Sequence, residues 1–176
     1  MKMKKKGYIF WVTGLSGSGK STVGRHLLPK IKKKYGTTIL VHGDNIRKIY
    51  NIKNFDRNSR FKLGKSNFDL CKFIALQGVN VIFTTVGLIH KLHSYNRKNY
   101  QNYIEIFIKA NINQLIKKKS KFFYKKKIKN VMGIDIKSEF PKKPDVKVIN
   151  NFSKLPKNLA EQIFKKIENH LKNDFI

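Results

Sequence analysis

A chain of 176 residues, 40% of them hydrophobic, suits one domain with a sizeable core, and no apolar run reaches the roughly 20 residues that span a bilayer. A single cysteine, Cys71, excludes an internal disulfide and fits a reducing cytoplasm, where the protein is expected to work. The formal net charge of +29 invites a nucleic-acid partner, yet the arginines are only Arg25, Arg47, Arg57, Arg60 and Arg97. A dedicated phosphate reader favours arginine for bidentate contacts and stacking. Lysine, asparagine, isoleucine, phenylalanine and tyrosine are abundant together and share AT-rich codons, so genome composition accounts for the charge. Neither a dedicated nucleic-acid partner nor a membrane is expected.

Residues 1–7 read as a basic tail. Met1-Lys2-Met3-Lys4-Lys5-Lys6 looks like the start of a signal peptide, but cleavage after the short apolar run that follows would destroy the motif beside it, so secretion is rejected. The first strand is predicted over Tyr8–Thr13. It leads into Gly14-Leu15-Ser16-Gly17-Ser18-Gly19-Lys20-Ser21, which fits G-x-x-x-x-G-K-[ST], with Thr22 next. Glycines there let successive N–H groups curl around a polyphosphate, and the helix that follows adds its positive end. Lys20 is placed to reach the β- and γ-phosphates, and the Ser21 hydroxyl to hold Mg²⁺. The pattern predicts a nucleoside triphosphate, ATP, carried with Mg²⁺.

A helix is predicted over Lys20–Tyr35, with Pro29 ending or kinking it, and a strand over Thr38–His42. Then comes Gly43-Asp44-Asn45-Ile46-Arg47. A carboxylate at a strand's C-terminal end sits where ligands bind in open α/β sheets, so Asp44 is a candidate for a substrate hydroxyl or a metal, with a plain helix cap as the bland alternative. Arg47, one helical turn on, is placed to hold an anion. Further helices are predicted near Ser59–Gln77 and Lys91–Tyr100 and over Ile112–Lys118, and further strands over Val79–Thr84, Tyr103–Ile108 and Val146–Ile149. The lysine run broken by Phe122, Phe123 and Tyr124 reads as a lid around 117–130 or as a solvated loop. Leu155, Leu159, Ile163, Ile167 and Leu171 form one apolar stripe of a final helix. The alternation of strands and helices predicts an α/β protein with a P-loop NTPase fold, a five-stranded parallel sheet flanked by helices, in a single domain over 8–176. His26 and His170 read as surface or boundary residues. His90 and His93 are expected near the acceptor pocket without forming a zinc site with Cys71.

The ordered set of motifs resembles the adenylyl-sulfate kinase family over nearly the whole chain. It rests on Phe10-Trp11-Val12-Thr13 with the loop through Thr22, then Gly43 to Arg47, then Asn54-Phe55-Asp56-Arg57. Tyr124-Lys125-Lys126, Ile128-Lys129-Asn130, Gly133-Ile134-Asp135 and Pro144-Asp145-Val146 continue it. The resemblance implies transfer of the γ-phosphoryl of ATP to the 3′-hydroxyl of adenylyl sulfate. It assigns Lys20 and Ser21 to ATP and Mg²⁺, with Asp44 as a second metal candidate. Asp44, Arg47 and Arg57 are assigned to the acceptor, and Phe55 to stacking on its base or to plain core packing. It also implies a homodimer, which the charge opposes.

Four departures mark this chain. His42 stands where the family has the first acid of Asp-Gly-Asp-Asn. The family's Ser-Pro-Tyr-Arg is absent, and Gly87 falls at the position of its serine. The arginine-rich stretch after Arg57 is thinned to Arg60 and Lys62. The lid is shorter, with Lys118 and Lys119 at its usual Arg-Asp pair. Thr84-Thr85-Val86, Ser94 to Asn99 and Tyr103-Ile104-Glu105 resemble a side branch that includes cytidine diphosphoramidate kinases of surface-polysaccharide pathways. By the weight of the family resemblance adenylyl sulfate is the acceptor expected first, narrowly, and such a cytidine nucleotide is the alternative. A non-catalytic nucleotide- or nucleic-acid-binding protein is the alternative of another class.

Overall fold

The computed structural model describes residues 6–117 and 132–173. Its elements run β1 (Ile9–Thr13), α1 (Lys20–Tyr35), β2 (Thr38–His42), α2 (Gly43–Ile49), α3 (Arg57–Leu76), β3 (Asn80–Thr85), α4 (His90–Asn99), β4 (Tyr103–Lys109), α5 (Ile112–Lys117), β5 (Val146–Ile149) and α6 (Pro156–Asn173). The five strands form one sheet in the order β2-β3-β1-β4-β5, every pair parallel. This is the expected α/β class.

The sheet is buried on both faces, so its strands read as apolar runs rather than alternating ones. On one face Phe10, Val12, Ile104 and Ile106 pack with Val23, Leu27 and Ile31 of α1 and with Leu159, Ile163 and Ile167 of α6. On the other Ile9, Trp11, Val81 and Phe83 pack with Phe68, Cys71 and Ala75 of α3 and Leu92 of α4. Central β1 is therefore buried along its whole length. Its C-terminal end opens toward loops that diverge to β3 on one side and β4 on the other, which is where an open parallel sheet forms a ligand crevice.

Three expectations are corrected. Pro29 does not end α1, which continues to Tyr35. The carbonyl left without a partner by its missing N–H belongs to Arg25, and both residues lie on the solvent side, where water can serve that carbonyl. Leu155 is not part of the apolar stripe. It precedes α6 and is 70% exposed, while Leu159, Ile163, Ile167 and Leu171 are buried. Pro156 opens that helix because its fixed φ suits the first turn, where no N–H partner is needed. The short helix α2 is additional to those predicted; seven residues are too few for a readable stripe. Beyond Lys117, the expected lid lies outside the described residues.

Candidate functional site

The loop after β1 is held open from three sides. Thr13 Oγ1 donates to the Val86 carbonyl at 2.6 Å, tying the loop's start to the segment after β3. A Cβ on Gly14 would stand 2.5 Å from the Ile108 carbonyl oxygen, so only glycine lets the chain leave β1 this close to β4. Asn150, just past β5, donates its Nδ2 proton to the Ser18 carbonyl at 3.1 Å. Gly19 caps α1 in a left-handed conformation with φ 93° and no side-chain bond, and no acid occupies the first turn. The first N–H groups of α1 are thus left facing the loop's concavity, an arrangement suited to an anion.

Lys20 is 8% exposed and its Nζ donates to the Leu15 carbonyl at 2.6 Å. Opposite it, β2 turns directly into α2 at His42-Gly43. Gly43 sits against the Thr84 carbonyl, where a Cβ would approach to 3.2 Å, and Asp44 follows it. The cap position of α2 is His42, without a side-chain cap bond, and Asp44 lies in the first turn. Asp44 is therefore not the helix cap that the bland alternative required. His42 Nδ1 lies 2.7 Å from Thr84 Oγ1. Burial, reinforced by the charge of Arg25, holds the imidazole below its ordinary pKa against a smaller pull from Asp44.

These parts enclose a cleft of about 300 Å³ lined by Ser16, Gly17, Gly19, Lys20, Ser21, Thr22, Arg25, His42, Asp44, Thr84, Thr85 and Val86. Gly14, Leu15 and Ser18 belong to the same loop but do not line the cleft, and Leu15 and Ser18 are buried beneath it. Arg25 was not singled out as a site residue from the sequence. The available signal was its spacing, four residues after Ser21 on the same helix face.

The residues expected to hold the acceptor form a second group. Arg47 donates to the Asn54 carbonyl at 3.1 Å and lies 4.6 Å over the Phe55 ring. Arg60 lies 5.4 Å from the same ring and donates through Nε to the Phe55 carbonyl at 2.6 Å. Burial, with Arg47 nearby, lowers the Arg60 pKa to about 10, so the guanidinium stays charged near neutral pH. Phe55 is half-buried and belongs to neither core cluster. Arg57 is ion-paired to Glu139, whose other oxygen accepts the His90 N–H at 2.7 Å. None of Arg47, Phe55 and Arg57 lines the phosphate cleft.

His93 is buried and bonded to Glu105, which also accepts from the Tyr103 hydroxyl at 3.2 Å. Arg97 closes that cluster with a two-pronged bond to Asp145, 3.0 Å on each side. Among the described residues no three histidine, cysteine or acidic side chains stand close enough to hold a metal ion, and no helix is long and apolar enough to cross a membrane.

The family model for adenylylsulphate kinase matches residues 6–149. A cytidine diphosphoramidate kinase from Campylobacter jejuni is 39% identical over 165 residues, covering 92% of this chain and 95% of the relative. An adenylyl-sulfate kinase from Clostridium acetobutylicum is 30% identical over 177 residues, covering 96% and 86%. Among solved structures, the Mycobacterium tuberculosis APS kinase in complex with AMPPNP and APS superposes with a TM-score of 0.80 at 23% identity, covering 93% of this chain and 98% of that one. With a phosphate loop facing a carboxylate across one cleft, and a family match over most of its length, the chain belongs to the adenylylsulphate kinase family and is a P-loop kinase, a phosphotransferase.

Proposed function

We propose that this kinase transfers the γ-phosphoryl group of ATP to the ribose 3′-hydroxyl of a nucleotide whose phosphate end carries a modifying group. The observation that carries this reading is the placement of Lys20 and Ser21 opposite Asp44 in one cleft of about 300 Å³. The α1 N-terminus and Lys20 hold the β- and γ-phosphates. Asp44 orients the acceptor hydroxyl and takes its proton as the new O3′–P bond forms. The bond from the γ-phosphorus to the bridging oxygen breaks at the same centre, and ADP leaves. Such transfer depends mainly on positioning and charge neutralisation. Arg47 and Phe55 bind the acceptor, with Arg57 beside them.

The cleft fits a magnesium ion brought in by the nucleotide. Ser21 and Asp44 both line it, and Mg²⁺ asks for few protein oxygens, taking the rest from phosphates and water. When bound, the ion neutralises the β- and γ-oxygens.

Cytidine diphosphoramidate is placed first as acceptor. The 39% identity to a kinase named for that substrate supports it, and so does Thr84-Thr85-Val86, which resembles the side branch of such kinases and lines the cleft. The sequence alone had favoured adenylyl sulfate narrowly, and the 30% identity to an adenylyl-sulfate kinase keeps it as the second reading. Purified protein incubated with ATP, Mg²⁺ and either acceptor is followed by phosphorus NMR. A new 3′-phosphate signal with the cytidine compound alone is the expected result. A signal with adenylyl sulfate alone reverses the acceptor assignment. Silence with both, while ATP still binds, removes it.

A further inference from the structure

All five arginines lie among the described residues, and four are committed. Arg47 and Arg60 bracket Phe55 and bond backbone carbonyls, Arg57 pairs with Glu139, and Arg97 pairs with Asp145. Arg25 makes no hydrogen bond or ion pair among the described residues, yet it lines the same cleft as Lys20, Ser21, His42 and Asp44. Its place follows from the helix. Four residues after Ser21, it stands one turn further along the face of α1 that looks toward the end of β2.

We propose that Arg25 is a phosphate-binding residue of the transfer cleft, its guanidinium contacting the terminal phosphoryl group of the bound nucleoside triphosphate. Three physical points carry this. Arg25 is exposed at the rim, yet it lines the cleft that holds the phosphate loop, so its guanidinium borders the place where a polyphosphate would lie. The guanidinium fork matches two phosphoryl oxygens at once, a geometry that the point charge of Lys20 lacks. The facing residue also leaves it available. His42, which lines the same cleft with its Nδ1 2.7 Å from Thr84 Oγ1, offers no carboxylate to compete for the guanidinium. An arginine supplied within the same chain is a general means of neutralising charge that develops on a transferring phosphoryl group. Arg25 only donates hydrogen bonds; it forms and breaks no covalent bond.

The proposal rests on the kinase reading of the cleft but not on the identity of the acceptor, and its test keeps the two apart. Dissociation constants for ATP and for ADP are measured by nucleotide titration, with Mg²⁺ and without acceptor, on the full chain and on Arg25→Ala and Arg25→Lys. The melting temperature of each variant is recorded alongside. Arg25→Ala is expected to weaken ATP about tenfold and ADP less than about threefold, since only ATP presents the contacted group. Arg25→Lys should recover part of the loss. Equal weakening of ATP and ADP, or none, in a folded variant overturns the proposal. So does unchanged nucleotide binding with a raised KM for the acceptor, which assigns Arg25 to the other substrate. A wild-type protein that binds neither nucleotide overturns both the proposal and the ATP reading beneath it. One that prefers ATP through Arg25 but phosphorylates neither acceptor supports the proposal and removes only the acceptor assignment.

Discussion

At the scale of single residues the proposed transfer divides labour between a lysine that serves the nucleotide and a carboxylate that serves the acceptor. Lys20 bonds the carbonyl of Leu15, within its own loop, and belongs to neither hydrophobic core cluster, so removing it leaves both core faces intact. Lys20→Ala is expected to lower kcat by at least about a hundredfold with an unchanged melting temperature. Asp44→Asn keeps the side-chain shape and removes the proton acceptor. It should lower kcat by about a hundredfold while the ATP dissociation constant moves less than about threefold. Steady-state kinetics paired with nucleotide titration separates the two roles, and an equal loss of rate and ATP affinity in Asp44→Asn would place Asp44 on the nucleotide instead. The phosphate loop was legible because its whole chemistry is contiguous, one strand, one turn and one helix start. Arg25 was harder to read, because its spacing from Ser21 was the one local mark and the cleft beside it exists only once β2 brings His42 and Asp44 alongside α1. Arg57 was legible as a cation but not as a committed one, because Glu139 lies 82 positions away.

At the scale of elements Glu139 joins three segments. It pairs with Arg57 at the start of α3, accepts the first N–H of α4 at His90, and anchors its own strand of chain through its N–H to the Leu88 carbonyl at 3.0 Å. The His90 bond first, and then Arg57, hold its carboxyl below the ordinary carboxylate range. The folded state therefore binds this proton less readily than the unfolded chain. The stabilisation is present in full above the unfolded carboxyl value and is lost as pH falls through the depressed folded one. Because Arg57 is half-exposed, Glu139→Gln should cost no more than about 1 kcal/mol at neutral pH. Melting curves of the two proteins should differ at neutral pH and converge in acid, where Glu139 itself becomes neutral. A gap that persists unchanged in acid would rule the charge out as its source. The strands and long helices were readable because burial on both sheet faces leaves plain apolar runs, and α6 because its stripe repeats every fourth residue. The stripe overran by one member at Leu155, since spacing cannot tell the last helical turn from the residue before it. Of the two outcomes expected at Pro29, an end or a kink, the end does not occur, because the bond that proline forfeits faces water.

At the scale of the whole molecule, the net charge of +29 and the parallel sheet act on the same substrates. The sheet gathers the ends of β1, β2 and β3 at one crevice, and the polyphosphate and the acceptor are both anions arriving there. Few acids are available to oppose them. Glu105 and Asp145 are bound into the cluster with Arg97, Glu139 is held by Arg57 and His90, and Glu161 and Glu168 pair with Lys30 and Lys34 of α1. Asp44 remains as the carboxylate of the cleft. A positive field of this size should raise the encounter rate of small anions, and salt should screen it. Raising ionic strength from about 0.05 to about 0.5 M is expected to lower kcat/KM for the acceptor by about threefold to tenfold while kcat holds, because the steps after binding take place in an enclosed cleft. A small ligand of few charges cannot give the steep power law of a polyanion that releases many counterions. Added nucleic acid should therefore inhibit only weakly near physiological salt. Tight, steeply salt-dependent retention of duplex or single-stranded nucleic acid would mean that the lysine-rich surface has a partner of its own, and that genome composition does not account for the charge.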